Sequence, residues 1–424
     1  MAGFSLGKLE LGVAAAATQI EGGDENNSWY DWCEAGHIKD GSSTLRADDH
    51  WNRWREDTEL LAAMGVKHYR LGVEWSRIEP EEGVFSEAAL ERYREELALL
   101  KEKGVRPLVT LHHFTNPRWF EEKGAFLAPD AVDFYLRFVK KTVAAFGPQC
   151  AEYITINEPN VYATNGYFFG EWPPAHKSLG ETIKVIQTMA KCHVEGYRLI
   201  HSVRRDMGLT DTAVGFAHHM RLFQPLRPKN LMDKFFTAFN RRFFQSAITR
   251  TFTTGAGCFP LKRVAPAGIY CDFHGLNYYS TSASSGLRNG VRPGVPLNDL
   301  GWEIYAPGIV KCAQDMQKCA DRPIYITENG TCDNTDMFRT RYLYEHIKAL
   351  VDSGLPVERY YHWCFLDNFE WLEGESARFG LIHVDYETQK RTIKRSGEFY
   401  AAMIREGGVS EALHKEYCEV EYHD

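Results

Sequence analysis

The chain has 424 residues, 44% hydrophobic and 25% charged, the make-up of a globular protein. That excludes a disordered, collagen-like or disulfide-scaffold chain and leaves ample apolar side chains for a core. Lys and Arg number 49 against 57 Asp and Glu, a formal charge of −8. No overall basic surface faces a phosphate backbone, so nucleic acid is not an expected partner.

Aromatic residues make up 13%, with 10 Trp and 21 Tyr, which suits core filling first and sugar stacking second. The 10 Cys contain no C-x-x-C pair and the 16 His no H-E-x-x-H helix. Free thiols are expected, with no metal and no cofactor.

In chain order, the first apolar run is Leu11–Ala17. Glu10 precedes it and Gln19 and Glu21 follow, so it reads as a strand and not as a secretory segment. Nothing later approaches the ~20 apolar residues of a membrane span. The expectation is a cytoplasmic chain with no membrane partner.

The strands expected are Leu11–Ala16, Val66–Val73, Arg106–Leu111, Tyr153–Ile156, Ala213–Ala217, Phe273–Leu276, Ile324–Thr327 and Arg359–Phe365. Helical periodicity fills most of the gaps, as in Ser86–Lys103, Pro129–Phe146 and Thr182–Val203. Gly104 and Gly147 stand just past two of these helices, where a left-handed cap is wanted. No linker or composition break divides the chain, so 1–424 is expected to be one α/β domain. A doubly wound sheet would fit the alternation, but eight strands favour a closed (β/α)8 TIM barrel.

Glu74, His112, His113, Glu158, Asn277, Glu328 and Asp367 fall at or just past the C-terminal ends of these strands. Barrel active sites are built there. Thr155-Ile156-Asn157-Glu158-Pro159 and Thr327-Glu328-Asn329-Gly330 each end a strand in a carboxylate, with Pro159 and Gly330 fixing the backbone beyond. Two such Glu could face each other across the barrel mouth, the pair that glycoside hydrolysis needs. Taken alone, they could equally be two salt-bridged or capping side chains.

Asn157-Glu158-Pro159 and Ile326-Thr327-Glu328-Asn329-Gly330 resemble the two hallmark motifs of the family 1 glycoside hydrolases, the β-glucosidase family. The similarity runs along the whole chain. It includes Ala16-Ala17-Thr18-Gln19-Ile20-Glu21-Gly22 and Tyr69-Arg70-Leu71-Gly72-Val73-Glu74-Trp75-Ser76-Arg77-Ile78. It continues through Asn277-Tyr278-Tyr279, Leu366-Asp367-Asn368-Phe369-Glu370-Trp371 and Arg378-Phe379-Gly380-Leu381.

The resemblance implies a barrel that cleaves β-glycosides with retention. Glu158 would be the acid/base, Glu328 the nucleophile, and Arg70 and Tyr279 would sit against Glu328. Gln19, His113, Asn157, Glu370 and Trp371 would bind the sugar's hydroxyls. Asn277 and Phe379 would belong to the same pocket, and Trp363 would form its apolar floor. Trp302 and Trp172 would face the leaving group. Arg70 would favour an ionised Glu328, while desolvation and the charge of Glu328 would keep Glu158 protonated. Retention implies carboxyl groups about 5 Å apart.

Myrosinase-like relatives have Gln at the acid/base position, and Glu158 argues against that branch. Glu370, with no Lys from Trp363 to Val384, argues for neutral hexoses over 6-phosphates. His113-Phe114-Thr115-Asn116-Pro117 replaces the usual His-Trp-Asp-Leu-Pro, which loosens selection among glucose, galactose, fucose and mannose. Ser284–Pro296 is short for the family and suggests an open leaving-group side. The expected activity is an exo-β-glucosidase on small β-glycosides or oligosaccharides, with β-galactosyl and β-fucosyl side activity and transglycosylation. A dedicated β-galactosidase or β-mannosidase and a non-catalytic glycan- or partner-binding barrel are the alternatives.

Overall fold

The computed structural model describes residues 3–286 and 288–422. Eight parallel strands follow one another around a closed barrel: β1 (Glu10–Ala14), β2 (His68–Gly72), β3 (Arg106–Thr110), β4 (Glu152–Asn157), β5 (Ala213–His219), β6 (His274–Asn277), β7 (Ile324–Asn329) and β8 (Val357–Trp363). β8 closes onto β1, with Arg359 beside Glu10 and Trp363 beside Ala14. Each strand lies where the sequence puts it, the ends shifting by no more than two residues.

Period-two alternation explains the layers. In β1, Leu11 and Val13 join the apolar shell under the helices, while Ala14 faces the inner cluster with Leu108, Ile154 and Tyr325. Small residues there make room for rings. Phe273 and Tyr325 stack with centroids 4.2 Å apart, and a Cβ at Gly215 would lie 2.7 Å from the Phe273 ring.

The three expected helices are Glu87–Glu102, Ala131–Phe146 and Leu179–Asp206. Ser86 caps the first, its Oγ accepting from the Ala89 amide at 3.2 Å. Gly104 has the expected positive φ of 73°. Gly147 does not: its φ is −43°, and the nearest atoms to a Cβ there are the end of the exposed Met207 side chain, so neither left-handed backbone nor tight packing requires a glycine.

Leu287, inside the Ser284–Pro296 stretch, lies outside the described residues. Around it, Thr281–Ser285 pairs antiparallel with Arg288–Gly290 and parallel with Leu222–Pro225, making a small sheet beyond the barrel. All ten cysteines are unpaired. Among the described residues no helix is long and apolar enough to cross a membrane, and no group of His, Cys, Asp and Glu is arranged to hold a metal ion.

Candidate active site

A pocket of about 190 Å³ opens at the C-terminal ends of the strands, with Glu158 and Glu328 both in its wall. Glu328 is the next-to-last residue of β7. Arg70 of β2, fully buried, places Nη1 2.5 Å from Glu328 Oε1, and the Tyr279 hydroxyl donates to Oε2. The same guanidinium donates to the Thr327 carbonyl (3.0 Å), to Thr110 Oγ1 (3.1 Å) and to Asn157 Oδ1 (2.7 Å). Gly330 follows because a Cβ there would lie 1.8 Å from the Trp363 carbonyl oxygen. It supplies space, whereas the sequence reading has it fix the backbone.

Glu158 stands just past the end of β4 with a left-handed φ of 43°, and Pro159 starts a short helix behind it. That bend turns the carboxylate into the pocket, where Asn277 Nδ2 donates to Oε1 at 2.8 Å and His219 Nδ1 lies 3.2 Å from the same oxygen. Asn277 also donates to Asn157 Oδ1 (3.0 Å) and accepts from Thr327 Oγ1 (2.6 Å). With both amide atoms engaged and no exposed surface, Asn277 holds Glu158 instead of lining the pocket as the sequence suggested.

Burial pushes the Glu328 carboxyl up to about 7, with the charge of Glu158 adding to that push and Arg70 and Tyr279 opposing it. Burial acts on Glu158 too, but His219, Asn277 and Arg70 outweigh it and hold the group below its ordinary value. The two directions, Glu328 raised and Glu158 lowered, are the reverse of the sequence expectation. Burial also keeps the Tyr279 hydroxyl protonated, so it remains a donor.

The remaining expected residues surround this pair. His113 stacks parallel to Trp363 and Trp371, with centroids at 5.7 and 5.9 Å, and Asn157 Nδ2 lies 3.1 Å from its Nε2. Burial, with Arg70 nearby, drives its ring neutral, and its Nδ1 has no protein partner. Gln19 donates to the Phe369 carbonyl at 2.8 Å and leaves its buried Oε1 unpartnered. Burial, reinforced by the charge of Glu328, pushes Glu370 up to about 8, against hydrogen bonds from Trp363 and Gln19.

Trp302 lines the pocket against Tyr279, with centroids 5.9 Å apart. Trp172 also reaches the wall, but packs mainly on Trp29, Phe114 and Trp371. Phe379 is a correction: it is buried behind Tyr279 and Trp302 and supports them without reaching the pocket. Glu74, His112 and Asp367 also stay out of it. Glu74 accepts from Thr18, His112 bonds Asn116, and Asp367 binds Lys394 and Arg378. Sequence reasoning missed His219 and Arg221, which line the acid/base side. The signal available was a polar His218-His219-Met220-Arg221 run closing an apolar strand.

Comparison with known proteins agrees with this geometry. The model of glycosyl hydrolase family 1 matches residues 7–256 and 267–409. Beta-glucosidase A of Thermotoga maritima is 30% identical over 94% of this chain and 97% of its own length. The beta-glucosidase of Agrobacterium sp. is 29% identical, covering 94% of each protein. A solved beta-glycosidase from Pyrococcus horikoshii superposes with a TM-score of 0.89 at 31% identity, covering 98% of both chains. The Thermotoga maritima beta-glucosidase in complex with glucoimidazole gives 0.87 at 28% identity, over 96% of this chain and 100% of that one. With a family model spanning most of its length and two carboxylates lining one pocket at the mouth of an eight-stranded barrel, this chain belongs to glycosyl hydrolase family 1.

Proposed function

We propose that the protein is a retaining exo-β-glycosidase that removes terminal β-D-glucosyl residues from small, unphosphorylated glycosides by double displacement. The observation that carries the reading is the unequal setting of Glu158 and Glu328 in one pocket. Glu328 is held by a buried cation and a phenol, whereas Glu158 is held by an amide and an imidazole.

In the first step a Glu328 oxygen attacks the anomeric carbon, and Glu158 gives its proton to the departing oxygen. Arg70 and Tyr279 fix both Glu328 oxygens, so attack does not wait for the side chain to find its geometry. Forming the ester removes the Glu328 charge that helped Glu158 keep a proton. Glu158 then takes a proton from water, which displaces the sugar from Glu328.

His113 and Glu370 in the pocket wall supply groups for sugar hydroxyls, with the buried Gln19 donating to Glu370 from behind, and Trp363 supplies a flat apolar face. Among the described residues the pocket wall holds no Lys for a 6-phosphate. Phe114 takes the place of an indole donor and contacts Trp172 and Trp371, so β-galactosides and β-fucosides are accepted as well.

The test is kcat/KM on nitrophenyl β-glucoside, β-galactoside, β-fucoside, β-mannoside and β-glucoside 6-phosphate, with Glu328→Gln as the blank. Turnover of the neutral glycosides, glucoside included, supports the reading. Preference for the phosphate would overturn the part given to Glu370. Preference for the galactoside or mannoside alone would replace glucosidase by one of those activities. No turnover of any would leave a binding barrel.

A further inference from the structure

His219 is the last residue of β5, and Arg221 follows two residues later, in the wall of the same pocket. Arg221 Nε lies 3.0 Å from His219 Nε2, and its backbone amide donates to Gln245 Oε1 at 3.1 Å. A guanidinium can only donate, so Nε2 must accept and the ring proton must sit on Nδ1. That N–H points at Glu158 Oε1, 3.2 Å away. The ring is clamped for this task, lying nearly parallel to Tyr279 with centroids 5.9 Å apart and meeting Phe244 edge-on at 6.0 Å.

Resting on the assignment of Glu158 as acid/base, we propose that Arg221 and His219 are positioning residues, a donor relay that holds Glu158 in its carboxylate form. The relay favours the second task of Glu158, as base, over its first, as acid. It therefore sets how high in pH the first step can run.

Other charges face the same carboxyl. Arg70 from β2 acts in the same direction, whereas Glu328 from β7 and Glu370 after β8 oppose it. Asn277 contributes a neutral donor, and Tyr279 is a buried phenol that stays protonated. His218 turns away to Thr249 Oγ1, 3.1 Å distant. Among the described residues, the two nitrogens of His219 thus bond only Glu158 and Arg221. Among the described residues Arg221 pairs with no carboxylate; burial lowers it, and Glu158 supplies the opposing pull.

The experiment is a carbon NMR titration of the Glu158 side-chain carboxyl in the full chain, with Glu158→Gln to assign the signal. It is paired with the upper pH limb of kcat/KM on nitrophenyl β-glucoside. In His219→Phe, which keeps a ring on Tyr279, and in Arg221→Met, the Glu158 titration should rise by about one pH unit. The kinetic limb should rise with it. Arg221→Lys, which keeps a cationic donor, should stay near the parent. An unchanged or lowered Glu158 titration in Arg221→Met would overturn the proposal, as would an equal rise in Arg221→Lys. Arg221→Met answers the question even if His219→Phe does not fold. If the titration moves as stated while the parent cleaves no glycoside, the functional reading falls and the relay stands.

Discussion

Arg70 and Glu328 meet at the base of the pocket with their charged atoms 2.5 Å apart and both groups shut off from solvent. The guanidinium also holds Asn157, whose side chain touches His113 on one side and Asn277 on the other. A single buried cation therefore ties Glu328, the Asn157–Asn277 pair that holds Glu158, and the His113 ring to one frame.

Removing that cation takes a donor from a buried carboxylate and from three further acceptors, although Tyr279 still donates to Glu328 and Asn277 to Asn157. Arg70→Met should lose about 3–5 kcal/mol of stability in urea unfolding. Its kcat/KM should fall by at least about 10²-fold. A variant as stable and active as the parent would show that the ion pair supports neither fold nor reaction.

The role of Glu158 should show in the leaving group. Glu158→Gln should lose about 10²–10⁴-fold in kcat/KM on alkyl β-glucosides, whose oxygen needs a proton to depart. Dinitrophenyl β-glucoside, which leaves unaided, should lose far less in kcat/KM. Equal losses on both would remove the acid assignment.

The carboxyl pair fixes the pH response. Its last proton is lost near the value to which Glu328 is pushed, about 7. Above that pH both groups are ionised and no acid remains, so kcat/KM should fall by about tenfold per pH unit. At low pH both are protonated and no nucleophile remains, so the profile is a bell. A plateau extending past pH 9 would contradict this.

Stability has a separate pH signature at Glu74. Burial, with Asp24 nearby, pushes this carboxyl up to about 8, although Thr18 donates to it. Its folded value lies above the ordinary ~4.3 of the unfolded chain, so its stabilising effect is complete below ~4.3 and is lost as pH rises through about 8. Glu74→Gln should match the parent near pH 5 and melt a few degrees above it at pH 9. A melting difference that does not change with pH would refute the buried, protonated Glu74.

The barrel was legible because its strands are short β-branched or aromatic runs set off by polar tips, and all eight survive in place. The two carboxylates that meet the pocket, Glu158 and Glu328, were legible through their motifs. Facing was harder to read. His112 and His113 are neighbours, yet His113 stacks on Trp363 in the pocket while His112 meets Phe126 and Tyr162 outside it. Successive residues of extended chain point opposite ways; strand position alone put both at the barrel mouth, and only the family resemblance singled out His113. Asn277 and Phe379 were placed near the site, but hydrogen-bond saturation and burial, which only coordinates reveal, make them supports. His219 and Arg221 carry no motif, and their meaning lies in a contact with Glu158 across 61 residues of chain.

The most direct test of the account is to trap the covalent intermediate. The protein would be incubated with dinitrophenyl 2-deoxy-2-fluoro-β-glucoside, and the labelled peptide located by mass spectrometry. Double displacement predicts rapid inactivation with one sugar esterified to Glu328, and none in Glu328→Gln. Steady turnover of β-glucosides with no ester formed, or an ester on any other side chain, would contradict it.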